Sequence, residues 1–174
     1  MNDNPCLTSS MTCSPSAADE DLLTQYSEGK CHVLALALHR HLGWEMVLVI
    51  DNNAPYWEDA EDPDNFIASV VHAYAVDREH RAWDIHGCRP AEDMVRETQE
   101  RFCVFALDTD WLCSEGELTS YVGEWGEPEI IDRPLAAFVE ADVAEAWIHA
   151  QRVFKGLTQW SPHSPTPVRR GLCP

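Results

Sequence analysis

The most regular hydrophobic pattern in the chain runs from Val33 to Leu42, where Leu34, Leu38 and Leu42 recur every fourth residue. That spacing puts them on one face of a helix, with Ala35 and Ala37 small enough to let a neighbour approach closely. The helix is predicted to begin near Gly29 or Lys30. Gly43 suits its C-terminal cap, and His39, Arg40 and His41 put positive charge where the helix dipole favours it. Met46-Val47-Leu48-Val49-Ile50 follows as a continuous apolar run of strand length, which predicts a buried strand.

The pattern then turns polar. From 51 to 66, Asp51, Glu58, Asp59, Glu61, Asp62 and Asp64 stand without a Lys or Arg, and Pro55 and Pro63 interrupt; a long acidic surface loop is expected. Ala68 to Val76 and Arg81 to Ile85 read as an antiparallel pair joined within Asp77 to His80. Pro90, at the first helical position, opens a charged helix to about Phe102. Cys103 to Leu107 is a short strand candidate, 114 to 133 is mostly irregular, and Pro134 starts a second long helix through Ala137, Val143, Trp147 and Val153 to about Lys155. Residues 1–20 are expected to be a mobile lead-in and 158–174 a Pro-rich tail. The 21–157 segment is one domain long enough to bury a substantial core. The order helix, strand, hairpin, helix, strand, helix predicts an α+β fold, with an N-terminal helix packed on a small antiparallel sheet and further helices after it.

Charge narrows the partners. The 12 Lys and Arg face 30 Asp and Glu, a net charge of -18. Such a chain is poorly suited to phosphate backbones and anionic membranes, so direct nucleic-acid or membrane binding is not expected; a protein partner with a basic surface is. The seven cysteines are odd in number and form no CxxC pair, which removes zinc-ribbon and thioredoxin readings. Met1 to Glu20 lacks a basic n-region and an apolar h-region, and no run of 18 apolar residues occurs. Reduced thiols and a cytoplasmic location are therefore expected.

The chemistry concentrates between residues 25 and 88. Cys31 falls in the first turn of the predicted helix, where unpaired N–H groups and the dipole favour a thiolate. His72 and Asp84 lie on consecutive strands. With a three-residue turn centred on Arg78 they stand opposite one another, so the carboxylate could fix the imidazole's tautomer and stabilise its charged form. A thiol, a base and an orienting acid together suit attack on an amide or thioester carbonyl. The Cys31 N–H and the side chain of Gln25 are candidate oxyanion donors.

Gly29-Lys30-Cys31, the Leu/Ala helix ending at Leu42-Gly43, the strand after it, His72 in a strand and Trp83-Asp84 in the next resemble the catalytic core of the transglutaminase-like and papain-like cysteine enzymes. Gln25, six residues before Cys31, is similar to the papain-like oxyanion glutamine. The resemblance covers about 25–88 and implies Cys31 as nucleophile, His72 as base and Asp84 as orienting acid. It departs at His32, where these families often carry an aromatic residue, and after residue 90. It implies a cysteine hydrolase or acyl-transfer enzyme acting on a protein amide, of glutamine deamidase or thiol protease type, with no cofactor.

Other readings use the same residues. His86, two residues after Asp84, competes with His72 as the base. Cys31, His32, His72, His86 and Cys88 could be metal ligands, but no second paired motif accompanies His86 and Cys88, so no metal is expected. The acidic loop lacks the central Gly and terminal Glu of an EF-hand. The competing class is a non-catalytic acidic interaction protein or inhibitor, binding a basic protein surface or mimicking nucleic acid.

Overall fold

A computed structural model describes residues 17–55, 66–104, 106–123, 131–133, 135–154 and 157. Helix α1 (Ala17–Thr24) and a π-helical turn (Gln25–Gly29) lead into α2 (Cys31–Leu42). Then come β1 (Glu45–Pro55), β2 (Phe66–Val76), β3 (Arg81–Asp84), β4 (Gly87–Pro90), α3 (Ala91–Phe102), β5 (Leu107–Leu112), α4 (Glu115–Ser120), β6 (Ile131–Arg133) and α5 (Glu140–Val153). Five strands pair antiparallel in the order β4-β3-β2-β1-β5, and β6 runs parallel to β2. The fold is α+β.

Both faces of the sheet are covered, which explains the unbroken apolar run of β1. Its Met46 and Leu48 join Leu34, Leu38, Val143 and Ala146 in the core under α2 and α5. Val47 and Val49 point the other way, into a second cluster with Tyr74, Val76 and Met94 of α3. Helix α2 lies between the sheet and α5, and nine of its twelve residues are buried rather than a single stripe. Its end is set locally: Gly43 adopts the left-handed φ of +68° that glycine tolerates best, and its N–H donates to the His39 carbonyl at 2.8 Å.

The β2–β3 hairpin forms, but its loop is centred on Glu79. Asp77 and Arg81 close the loop, and the ladder pairs Ala75 with Trp83 and Val76 with Ala82. The Asp77 carboxylate selects this register. Buried, it accepts from the N–H groups of Glu79 and Arg81 (2.9 and 3.0 Å), from Arg81 Nε (2.7 Å) and from Trp83 Nε1 (2.9 Å). His80 completes the loop at φ +61°. His72 and Asp84 therefore share a face diagonally and are not directly opposite.

Several boundaries differ from expectation. β1 extends to Pro55, into the predicted acidic loop; the loop's acidic residues 58–64 lie outside the described residues. α1 begins inside the predicted lead-in, and the predicted tail, 158–174, is also outside. Pro90 ends β4 and caps α3 instead of opening it. Cys103 is the left-handed cap of α3, so β5 starts four residues later than predicted. Its Asp108 and Asp110 hid it from a hydrophobicity reading, although charge is common on edge strands. α4 lies within the stretch expected to be irregular. α5 starts at Glu140 because the Asp142 carboxylate accepts the Val139 N–H at 2.9 Å, while the Leu135 N–H is already committed to the Tyr121 carbonyl.

Thiol chemistry also departs from expectation. Cys31 and Cys103 are free, but Cys88 and Cys113 are disulfide-bonded. The expectation of reduced thiols is corrected at these two. They flank opposite edges of the sheet, too far apart to bond to each other. Among the described residues, no helix is long and apolar enough to cross a membrane.

Leu38 is fully buried where α2 meets the core. Leu38→Ala is expected to cost about 2–5 kcal/mol, measured as a lowered midpoint in urea unfolding without a change in slope.

Candidate active site

Cys31 is the first residue of α2. The Lys30 carbonyl accepts from the N–H groups of Val33 (3.0 Å) and Leu34 (3.1 Å), while the Lys30 N–H returns to the Gln25 carbonyl at 2.7 Å. The N–H groups of Cys31 and His32 in this first turn have no acceptor within the helix. Cys31 is buried, with only 7% of the residue exposed.

His72 comes to it from β2. Along the edge of β2 away from β1, β3 pairs at Ala75 and Val76 and β6 at Ala68 and Ser69, so His72 lies between the two partners. On the β1 side, Val49 pairs with His72 and Ile50 with Val70. One step on β1 thus matches two on β2, leaving Val71 as the extra residue of a bulge. Bulges re-aim adjacent side chains, and this one adjoins the imidazole that meets Cys31.

Asp84 ends β3. Its Oδ2 accepts from His72 Nε2 at 3.1 Å. Arg89 of β4 grips the same carboxylate with both terminal nitrogens, Nη1 to Oδ1 at 2.9 Å and Nη2 to Oδ2 at 2.7 Å. The His86 N–H donates to Oδ1 at 2.9 Å, and Arg89 reaches Glu97 of α3 at 2.8 Å. A carboxylate only accepts, so Nε2 of His72 carries the proton and Nδ1 remains as the basic nitrogen. That Nδ1 is buried and has no hydrogen-bond partner, which leaves it available to the thiol.

The electrostatics follow from these neighbours. Burial pushes the Cys31 thiol up, but hydrogen bonding with His32 and His72, and their charge, bring it from 9.0 down to about 6. Burial pushes His72 down; Asp84 and Cys31 outweigh it and raise the imidazole from 6.5 to about 9. Burial also acts to raise Asp84, yet His72 and Arg89 hold it well below the usual carboxylate range. Between these values, a thiolate–imidazolium pair is the favoured state.

The three residues read from the sequence as a triad are thus brought together. Gln25 sits half-buried in the π-helical turn, its carbonyl accepting the Lys30 N–H at 2.7 Å; an oxyanion donor there would bond the substrate rather than the thiol. His86 does not act on the thiol. Its Nε2 bonds to Ser27 Oγ at 2.8 Å, and Ser27 in turn donates to the Leu23 carbonyl, pinning the π-helical turn to the β3–β4 turn. Among the described residues, no group of three or more His, Cys, Asp or Glu side chains is arranged to hold a metal ion.

Sequence reading missed Arg89 and the contribution of His32. Arg89 becomes visible only once β4 is recognised, because the Asp84–Gly87 pairing of a two-residue hairpin brings it back beside Asp84. Gly87, at φ +113°, was the available signal.

Asp84→Ala is expected to cost about 3–5 kcal/mol at neutral pH, because it strands the Arg89 guanidinium. The native carboxylate has a depressed pKa, so its contribution is fully present above the ordinary value of about 3.9. It is lost as pH falls through the folded value. Urea unfolding against pH should therefore show wild-type stability declining below about pH 4 and a flatter profile in the variant.

Comparison with protein-family models, with curated proteins and with solved structures found no match to this chain.

Proposed function

We propose that the protein is a cysteine-dependent hydrolase or acyl-transfer enzyme acting on an amide of a protein substrate, of the transglutaminase-like or papain-like kind. The observation that carries this reading is the buried Cys31–His72–Asp84 alignment, with His72 Nε2 committed to Asp84 and Nδ1 left for the thiol. The thiolate attacks the amide carbonyl carbon and forms the C–S bond, and the negative charge moves to oxygen beside the free N–H groups of the first turn of α2. Collapse breaks the C–N bond, and His72 gives its Nδ1 proton to the departing nitrogen. Water then attacks the thioester, with His72 taking a proton, and the acid and the free thiol are released. With ammonia as the departing group this is glutamine deamidation; with a peptide amine it is proteolysis.

The excess of 30 acidic over 12 basic side chains favours a substrate or partner with a basic surface. It also supports the second reading, an acidic binding protein in which Cys31 is inert. The disulfide-bonded Cys88 and Cys113 favour an oxidising compartment over the cytoplasm.

The test is alkylation of Cys31 by iodoacetamide against pH, followed by mass spectrometry, with the free and exposed Cys103 as internal reference. The rate should rise through an apparent pKa of about 6. His72→Ala should shift it towards the ordinary value of about 8.5. Ammonia release from basic glutamine-containing proteins should fall about 10²–10⁴-fold in that variant and vanish in Cys31→Ala. Labelling of Cys31 that ignores His72, with a salt-sensitive partner complex indifferent to Cys31→Ala, sinks the enzyme reading in favour of the binder.

A further inference from the structure

A second imidazole stands beside Asp84, and the proposed chemistry leaves it unused. His86 lies in the turn between β3 and β4 and is exposed, yet its N–H and its Nε2 are both committed. The N–H donates to Asp84 Oδ1 at 2.9 Å, and Nε2 meets Ser27 Oγ at 2.8 Å. A hydroxyl has one proton, and Ser27 gives it to the Leu23 carbonyl. The Ser27 oxygen therefore accepts from His86, whose Nε2 carries the hydrogen. Ser27 is itself 4% exposed. It is the middle residue of the π-helical turn Gln25–Gly29, which the Lys30 N–H closes onto the Gln25 carbonyl at 2.7 Å. Cys31 is the next residue along the chain.

We propose that His86 is a positioning residue for the nucleophile: holding Asp84 through its main chain and Ser27 through its ring, it fixes the first turn of α2 against the His72–Asp84 pair. The inference rests on Cys31 being the nucleophile. A π-helical turn carries one residue more than an α-helical one, and such turns are rare, short and frequent at functional sites. Expelling the extra residue would move one end of the turn against the other by about 1.5 Å and about 100°. α2 cannot follow as a body, because nine of its twelve residues are buried and it is packed between the sheet and α5. The change would fall on its first turn, where Cys31 stands. Two contacts oppose it. Tyr26, fully buried, packs on His149 of α5 with ring centroids 5.8 Å apart, and Ser27 is tied to His86. The bond from Ser27 to Leu23 lies within the same segment and moves with it. The His86 bond is the one that refers the turn to Asp84.

The measurement is the pH profile of Cys31 alkylation by iodoacetamide in the full chain, with urea unfolding of each variant alongside. His86→Leu removes the ring donor at an exposed position and leaves the main-chain bond to Asp84. His86→Gln keeps an N–H donor near the Nε2 position. In His86→Leu the midpoint of the profile should rise by about one pH unit as the thiol moves off His72, and His86→Gln should restore most of the wild-type profile. Ser27→Ala should raise the midpoint too. The double variant Ser27→Ala/His86→Leu should shift no further than the larger single effect, because both substitutions remove the same bond. A folded His86→Leu with the wild-type midpoint overturns the proposal, even where its urea midpoint falls, and leaves His86 as a stabilising tether. Additive shifts in the double variant overturn it as well. If His86→Leu does not fold, Ser27→Ala decides, and a wild-type profile there overturns the proposal. His72→Ala, run in parallel, distinguishes the two ideas. A shift there with none in His86→Leu removes only the role of His86, and no shift in His72→Ala removes the nucleophile reading itself.

Discussion

The carboxylate of Asp84 is buried, and an ion in that position is tolerable only if its lone pairs are filled by well-placed donors. Four meet it: His72 Nε2, the two terminal nitrogens of Arg89 and the His86 N–H. They come from β2, from β4 and from the turn between β3 and β4. A slip of either hairpin register would leave a buried charge unpaired. Arg89 passes the constraint on, since it also engages Glu97 on α3. The sheet edge, α3 and the His72 imidazole are therefore held by one anion.

That anion also organises the chemistry. A thiolate, an imidazolium, a carboxylate and a guanidinium follow one another from Cys31 through His72 and Asp84 to Arg89, so the buried array alternates in sign and is neutral as a whole. Each charge is stabilised by the next in a region where water screens little. Arg89 has a cost in this arrangement. By pairing with Asp84 it shares the carboxylate that would otherwise act on His72 alone, trading some activation of the imidazole for a carboxylate that stays ionised. Rigid surroundings suit such an array. α2 is enclosed by the sheet and α5, and its outer end is clamped where Arg40 pairs with Glu115 of α4 and Glu140 of α5.

Legibility in the sequence followed the range of the forces involved. The α2 helix, its Gly43 cap and the buried strand after it were readable because periodicity and capping are local. The even separation of His72 and Asp84 put them on one face of a hairpin, and that parity survives the shift of the loop from Arg78 to Glu79. The direct cross-strand pairing did not survive, because a side chain, Asp77, set the loop. β4 and α4 are too short to show a period, and β5 carries the aspartates of an edge strand.

The sequence by itself determined the α+β class, the placement of a cysteine at a helix start and the order of thiol, imidazole and carboxylate along the chain, since each depends on residue type and near-neighbour spacing. Only the tertiary structure decided that His72, beside the bulge at Val71, acts on the Cys31 thiol, that Arg89 completes Asp84 and that Cys88 and Cys113 are oxidised. Those outcomes depend on which distant groups must share a buried space, and no local pattern encodes the desolvation cost that makes them pair.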